Sequence, residues 1–200
     1  MSAGVRQSRA RSRGALHAVL LGALLLPVSG PRAQTEDPGA FTVFTASHEL
    51  IDGVYYINAQ IYLRLSTEAT RALRAVPLTI RIEIEFLNRL RFWWDNTEYA
   101  KVQEYQLEYR SVSDRYIVRD MQVNRQTPFS DLADALEFVG QVDRLPVVDA
   151  AVLDEDRRYD VRIRAVLDKN DLPGPWRLFA FWRRDFSIKS DWFEWRLDDE

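Results

Sequence analysis

LTIRIEIEF, residues 78–86, alternates strictly between apolar and polar side chains. In an extended chain the apolar side chains share one face: Leu78, Ile80, Ile82, Ile84 and Phe86. A period of two is typical of a β-strand with one buried and one solvated face. The segment therefore predicts a central strand that contributes its isoleucines to the core.

Two other segments show the same alternation, at residues 53–65 and 158–167. Val161 and Ile163 fall on the apolar face of the second, and Tyr62 falls on the polar face of the first. Weaker strands are predicted at residues 41–47, 99–112, 115–119 and 186–197, with a tight turn at Ser113-Asp114. His48 is interpreted as marking the end of a strand.

Two short segments follow a helical period instead. Ser66 can cap a helix that extends to about residue 75 and is stopped by Pro77. Ser130 can cap a second helix that extends to about residue 142.

Strands outnumber helices, and one solvent-exposed face per strand is typical of antiparallel sheets. The sequence therefore predicts a mainly β fold, an antiparallel two-sheet sandwich with two short helices. A lipocalin-like barrel is the alternative, but it needs an uninterrupted up-and-down run of strands, which the helices interrupt.

The N-terminal residues have the order of a secretory signal. Arg6, Arg9, Arg11 and Arg13 precede an apolar run of about 14 residues, and small residues follow it. We expect residues 1–33 to be a cleaved signal peptide, residues 34–40 a flexible lead-in, and residues 41–200 a single periplasmic β-sandwich domain. An uncleaved inner-membrane tether is the alternative, although about 20 residues are needed to span a bilayer as a helix.

Charge limits the partners of the mature chain. Without the five leader arginines it carries 22 basic and 30 acidic side chains, a net charge of −8. This charge argues against a nucleic-acid partner, because nucleic acids bind to basic protein surfaces. We therefore expect no nucleic acid among the partners. No apolar run after the leader approaches membrane-spanning length, so we expect no transmembrane segment in the mature chain.

Catalytic motifs are missing from the sequence. The glycines lie too far apart for a phosphate-binding loop, there is no cysteine, and the mature chain has a single histidine. We therefore expect no cofactor and no metal. The acidic clusters at residues 154–156 and at Asp168, Asn170 and Asp171 are interpreted as turns rather than as calcium sites.

Glu83 and Glu85 form the best carboxylate pair, because both face the same side of the predicted strand. A glycoside hydrolase would need such a pair. We interpret the two glutamates as part of a solvated strand face, with Arg81 as their partner.

Tryptophan and arginine provide the candidate binding residues. Four consecutive positions, 91–94, read Arg-Phe-Trp-Trp and cannot all face one core in an alternating strand. Such side chains suit protein or glycan contacts. The candidates are Arg91, Trp93, Trp94, Trp192 and Trp195. The alternative is that the indoles close the open end of the core.

Several segments resemble a proteobacterial family of exported proteins called domain of unknown function 4390. The resemblance is carried by residues 50–59, 77–86, 93–95, 115–119, 145–146 and 190–195. It implies a Gram-negative exported protein and no assigned activity. It also implies a gene near that of a membrane sensor kinase, which indicates envelope signalling.

These observations favour a non-enzymatic envelope protein that mediates a protein–protein interaction, with a membrane sensor as one candidate partner. A small-molecule, glycan or lipid-binding module is the alternative. A glycoside hydrolase-like enzyme is the weakest alternative.

Overall fold

The computed structural model describes residues 37–88, 96–154, 156–167 and 187–197. The predicted signal peptide, residues 1–33, lies outside this part of the chain. The described elements are β1 (Ala40–Ile51), β2 (Val54–Arg64), α1 (Thr67–Leu73), β3 (Leu78–Asn88), β4 (Asn96–Arg110), β5 (Arg115–Asp120), β6 (Arg125–Phe129), α2 (Leu132–Gly140), β7 (Gln141–Asp149), β8 (Tyr159–Leu167), β9 (Ile188–Lys189) and β10 (Phe193–Leu197).

The strands form two antiparallel sheets. The smaller sheet has the order β1-β2-β7, and the larger has the order β10-β8-β3-β4-β5-β6, with the short β9 also paired to β8. The prediction of a mainly β, two-sheet sandwich with two short helices is confirmed. Pairing is antiparallel throughout the described residues, as one-sided burial predicts.

The core lies where the inward faces of the two sheets meet. β3 and β8 provide its centre, and the five residues predicted to be buried there are fully shielded from solvent: Ile80, Ile82, Ile84, Val161 and Ile163. This part of the prediction is confirmed. β2 contributes the facing row of the smaller sheet, which includes Tyr55, Ile57, Ala59, Ile61 and Leu63.

A tight hairpin joins β1 to β2. Ile51 pairs with Val54 across a two-residue turn, Asp52-Gly53, and both turn residues have positive φ angles of 50° and 78°. Such turns match the twist of the flanking strands and favour Asp-Gly. β1 extends to Ile51, so His48 lies within the strand, and the interpretation of His48 as a strand end is wrong.

The helices differ in how well their ends were predicted. Ser66 caps α1 as predicted, since its hydroxyl accepts a 3.0 Å hydrogen bond from the Ala69 amide. Asp131, not Ser130, is the N-cap of α2. The Ser130 hydroxyl instead accepts a 2.8 Å hydrogen bond from Arg115. No helix in the described part of the chain is long and apolar enough to cross a membrane.

Two strands were not predicted, and each contains a proline. β6 lies at the edge of the larger sheet with Pro128, and β7 lies at the edge of the smaller sheet with Pro146. Proline lacks the N–H that an inner strand needs, so it is tolerated at sheet edges and weakens the sequence signal there. The second helix, predicted to extend to about residue 142, ends at Gly140, because β7 begins at the next residue.

Candidate functional site

The sequence predicts five binding residues, of which the structure describes two. Arg91, Trp93 and Trp94 fall within residues 89–95, outside the described part of the chain. Trp192 and Trp195 are both described and both half-buried, but their surroundings differ.

Trp192 lies against two arginines on the outer face of the larger sheet. The guanidinium carbon of Arg162 is 4.4 Å from the centre of its ring, and that of Arg164 is 4.1 Å away. Both distances are in the range of cation–π contacts. The indole is therefore part of a charged surface and does not plug the core.

The two arginines hold the carboxylate pair that the sequence singles out. Arg162 donates to Glu85 at 2.6 and 2.9 Å, and Arg164 donates to Glu83 at 2.7 Å. Arg81, the predicted partner, approaches Glu83 at 3.4 Å. The arrangement is a cross-strand ladder of ion pairs and gives no support to a hydrolase.

Trp195 links the two sheets. Its indole N–H donates a 3.1 Å hydrogen bond to Nδ1 of His48 on β1, and its ring packs against the core beside Phe193. A buried indole usually finds a partner for its N–H, and His48 supplies it here. The surroundings of Trp195 therefore favour the alternative to binding, in which the indole closes the core.

The acidic clusters differ in how much of them is described. Asp168, Asn170 and Asp171 lie outside the described residues, as does Glu155. In the first cluster Asp154 accepts a hydrogen bond from the Asp156 amide at 3.1 Å, as a turn requires. Among the described residues, no group of three or more His, Cys, Asp or Glu side chains could hold a metal ion.

A polar cleft of about 820 Å³ lies beside the start of β8. Arg157 lines it and is paired with Glu98 at 3.3 Å and with Asp154 at 2.9 Å. Burial raises the pKa of the Tyr159 hydroxyl above its ordinary value, so this side chain stays neutral around pH 7. Arg157 is thus neutralised by its neighbours rather than positioned to capture an anion.

A second cleft, which we call the α2–β2 cleft, has a volume of about 740 Å³. Leu132, Ala133 and Leu136 of α2 line one wall, and residues 61–65 at the end of β2 line the other. Its volume falls in the range of about 300–1,000 Å³ that is usual for ligand sites.

The cleft exists because a helix replaces a strand beside β2. β7 pairs with β2 as far as Gln60, opposite Gln141. At the next position, a Cβ on Gly140 would lie 2.0 Å from the Ile61 carbonyl oxygen. Only glycine allows this approach, and α2 therefore meets β2 at Gly140 and lies apart from it along the cleft.

Two exposed aromatic side chains lie at the mouth of the α2–β2 cleft. Phe44 sits at a register shift between Val43 and Thr45, where β1 has an extra residue, and its exposed fraction is 61%. Its ring centre is 6.2 Å from that of Tyr62, whose exposed fraction is 46%. β-bulges commonly redirect a side chain, and this one directs Phe44 outward.

Neither Phe44 nor Tyr62 is among the predicted binding residues, although the alternation of the sequence places Tyr62 on the polar face of β2. Two signals could have found them. Phe44 is out of phase with Phe41 and Val43 in the same strand, and Tyr62 is a large ring on a solvated face. What brings the two together is the bulge, which alternation alone does not reveal.

Residues 40–196 match the family model described as Domain of unknown function (DUF4390). The match includes both walls of the α2–β2 cleft and both described tryptophans. No curated protein and no solved structure matches the chain.

Proposed function

This chain belongs to the DUF4390 family, and we propose that it is an exported, periplasmic envelope protein that acts by binding another protein rather than by catalysis. Export is supported by the order of the first 33 residues, with arginines before an apolar run and small residues after it. A membrane sensor remains a candidate partner.

The observation that carries this proposal is the aromatic pair at the mouth of the α2–β2 cleft. Phe44 and Tyr62 are both more than 40% exposed, and their rings lie side by side. A partner protein that covers them would remove this aromatic surface from water, which favours binding. Aromatic residues are enriched in protein interfaces because they bury much area at a small entropic cost. An adjacent cleft gives a partner side chain a place to insert.

The test is chemical crosslinking in the producing cells, followed by purification of the protein and identification of what is attached. Phe44→Ser and Tyr62→Ser should each lower the yield of the crosslinked partner by about tenfold or more, as expected for an interface hot spot. The control is Val112→Ser, because Val112 is also an apolar, exposed side chain and lies in the β4–β5 turn, away from the cleft lining. Unchanged yields from both aromatic variants, with unchanged melting temperatures, would contradict the proposal.

Arg91, Trp93 and Trp94 remain predicted binding residues. The same assay applied to Trp93→Ala and Trp94→Ala decides whether they belong to the interface. Lost partner at an unchanged melting temperature would place them there, whereas lost stability with retained partner would make them structural.

The second candidate, a small-molecule, glycan or lipid-binding module, is favoured by the volume of the α2–β2 cleft. It predicts a bound compound in the protein purified from the envelope. Native mass spectrometry distinguishes it from the first candidate, because a ligand adds a discrete small mass to the folded chain.

A further inference from the structure

We propose that the α2–β2 cleft binds an extended peptide segment of another protein, which adds a strand to the free edge of β2. The inference rests on the proposed function, since it names what the interaction surface takes up. The segment is apolar at alternate positions and carries at least one lysine or arginine.

The direction of the backbone groups is the first argument. The Ile61 carbonyl points at Gly140, on the α2 side of the strand. Backbone groups of residues two apart in a strand point to the same side, so the N–H and C=O of Leu63 also face the cleft. The backbone N–H and C=O of Arg64 point the other way, toward β1, because Arg64 pairs with Ala40 and its carbonyl lies beside Gly39.

No described strand pairs with this edge of β2 beyond Gln60. Leu63 thus presents a donor and an acceptor in the cleft, and such groups are satisfied by water or by an added strand. A free strand edge beside a helix is the arrangement with which PDZ domains bind extended peptides. An acyl chain has no donor or acceptor along its length and would leave both groups without a partner from the ligand.

The two walls of the cleft have similar lengths. Residues 61–65 of the strand span about 13 Å, and α2 spans about 12 Å. Leu132 and Leu136 are one helical turn apart and form an apolar stripe on the α2 wall, with the small Ala133 beside them. The cleft therefore fits about four residues of extended chain, whose side chains toward α2 are apolar.

Charge on the α2 wall selects the peptide further. Glu137 lines the α2 wall of the cleft and is exposed, and α2 contains no lysine or arginine. Arg64 lines the opposite wall, but it forms an ion pair with Asp37. The rim is therefore negative, which favours a cationic residue beside the apolar ones and disfavours an anionic ligand.

The test begins with selection of peptides from a displayed library of random twelve-residue sequences on the protein purified from the envelope. Selected peptides should show apolar residues at alternate positions and a lysine or arginine. The best peptide is then synthesised, and its affinity is measured by calorimetry. N-methylation of the backbone amides on one edge of the peptide should weaken binding at least tenfold, while the same change on the other edge should not.

Two variants on one helix locate the site. Ala133→Trp fills the cleft and should weaken binding of the synthetic peptide at least tenfold. Asp134→Trp adds the same ring to the next position, which does not line the cleft, and should leave the affinity within about twofold. Glu137→Lys reverses the rim charge and should weaken binding most at low salt, which keeps the test decisive if Ala133→Trp fails to fold.

Amide hydrogen exchange at Leu63 identifies strand addition itself. The Leu63 amide should exchange rapidly in the free protein and at least tenfold more slowly with the peptide bound. An amide already protected in the free protein would mean that the chain covers its own edge, and the inference would be wrong. It would equally be overturned if no peptide is enriched, if Ala133→Trp binds the peptide normally, or if N-methylation weakens binding at neither edge of the peptide.

These outcomes separate the inference from the function on which it rests. A crosslinked partner that depends on Phe44 and Tyr62, without protection of the Leu63 amide by any peptide, would leave the interaction role standing and remove strand addition. A partner yield that neither aromatic variant alters would remove the proposed role of this surface as well.

Discussion

Single side chains show how one residue type takes two roles on this scaffold. Trp195 spans from the larger sheet to His48 on the smaller one, so its loss removes both packing and a hydrogen bond. Trp192 lies on the outside of the same sheet against Arg162 and Arg164, whose charges are already held by glutamates. The surroundings of the two rings, not their identity, set their energetic roles.

Alanine at these two positions should therefore have unequal effects on stability. We expect Trp195→Ala to lower the free energy of unfolding by about 2–3 kcal/mol, less than for a fully buried tryptophan because the ring is half-buried. Trp192→Ala should cost about 1 kcal/mol, the size of a partly exposed cation–π contact. Urea denaturation of the two variants measures both values, and equal losses would contradict this division of roles.

At the scale of elements, the sequence predicts those strands whose two faces differ most. β3 is identified by its own alternation, because from Leu78 to Phe86 its inward side chains are all apolar and its outward ones are polar or charged. β7 is missed because Pro146 weakens the pattern at a sheet edge, where the missing N–H is tolerated. The cap of α2 is missed because Ser130 and Asp131 are both good capping residues, and a contact with Arg115 occupies the serine.

The α2–β2 cleft could not be predicted from local pattern. It depends on where β7 stops pairing with β2 and on the contact between Gly140 and Ile61, which are 79 positions apart in the numbering. Such non-local contacts decide which edge of a strand is left free, whereas alternation only identifies which face is buried. The ladder of Glu83 and Glu85 with the β8 arginines is missed for the same reason, since the predicted partner, Arg81, is the nearest in sequence.

The face assignment of β3 makes a quantitative prediction. Ile82→Ala should lower the free energy of unfolding by about 2–5 kcal/mol, because it leaves a cavity in a fully buried position. Val102→Ala is the matched control: Val102 lies on β4 of the same sheet, opposite Glu83 on the outer face, and is 38% exposed. The control should cost less than about 1 kcal/mol. Denaturant curves that rank the two variants the other way would show that the inward face is assigned to the wrong residues.

At the scale of the whole molecule, the chain combines an acidic sandwich with a strongly basic start. The whole chain has 30 acidic and 27 basic residues, and the first 33 positions hold five arginines and no acidic residue. A leader that stays attached would leave an arginine-rich, apolar segment joined to a domain of net charge −8. Removal of the leader would release a domain of net charge −8, which suits partners with basic segments and matches the negative rim of the α2–β2 cleft.

The proposed export is tested by intact-mass spectrometry of the protein purified from the envelope of producing cells. We expect the mass of a chain that begins at or near Gln34, because the small residues after the apolar run provide the exit of a secretory signal. Arg6→Glu combined with Arg9→Glu is the matched perturbation, since a signal needs its basic start, and the unprocessed chain should accumulate in the cytoplasm. A purified protein whose mass retains residues 1–27 would contradict cleavage. It would instead indicate that the N-terminal segment is retained as a tether.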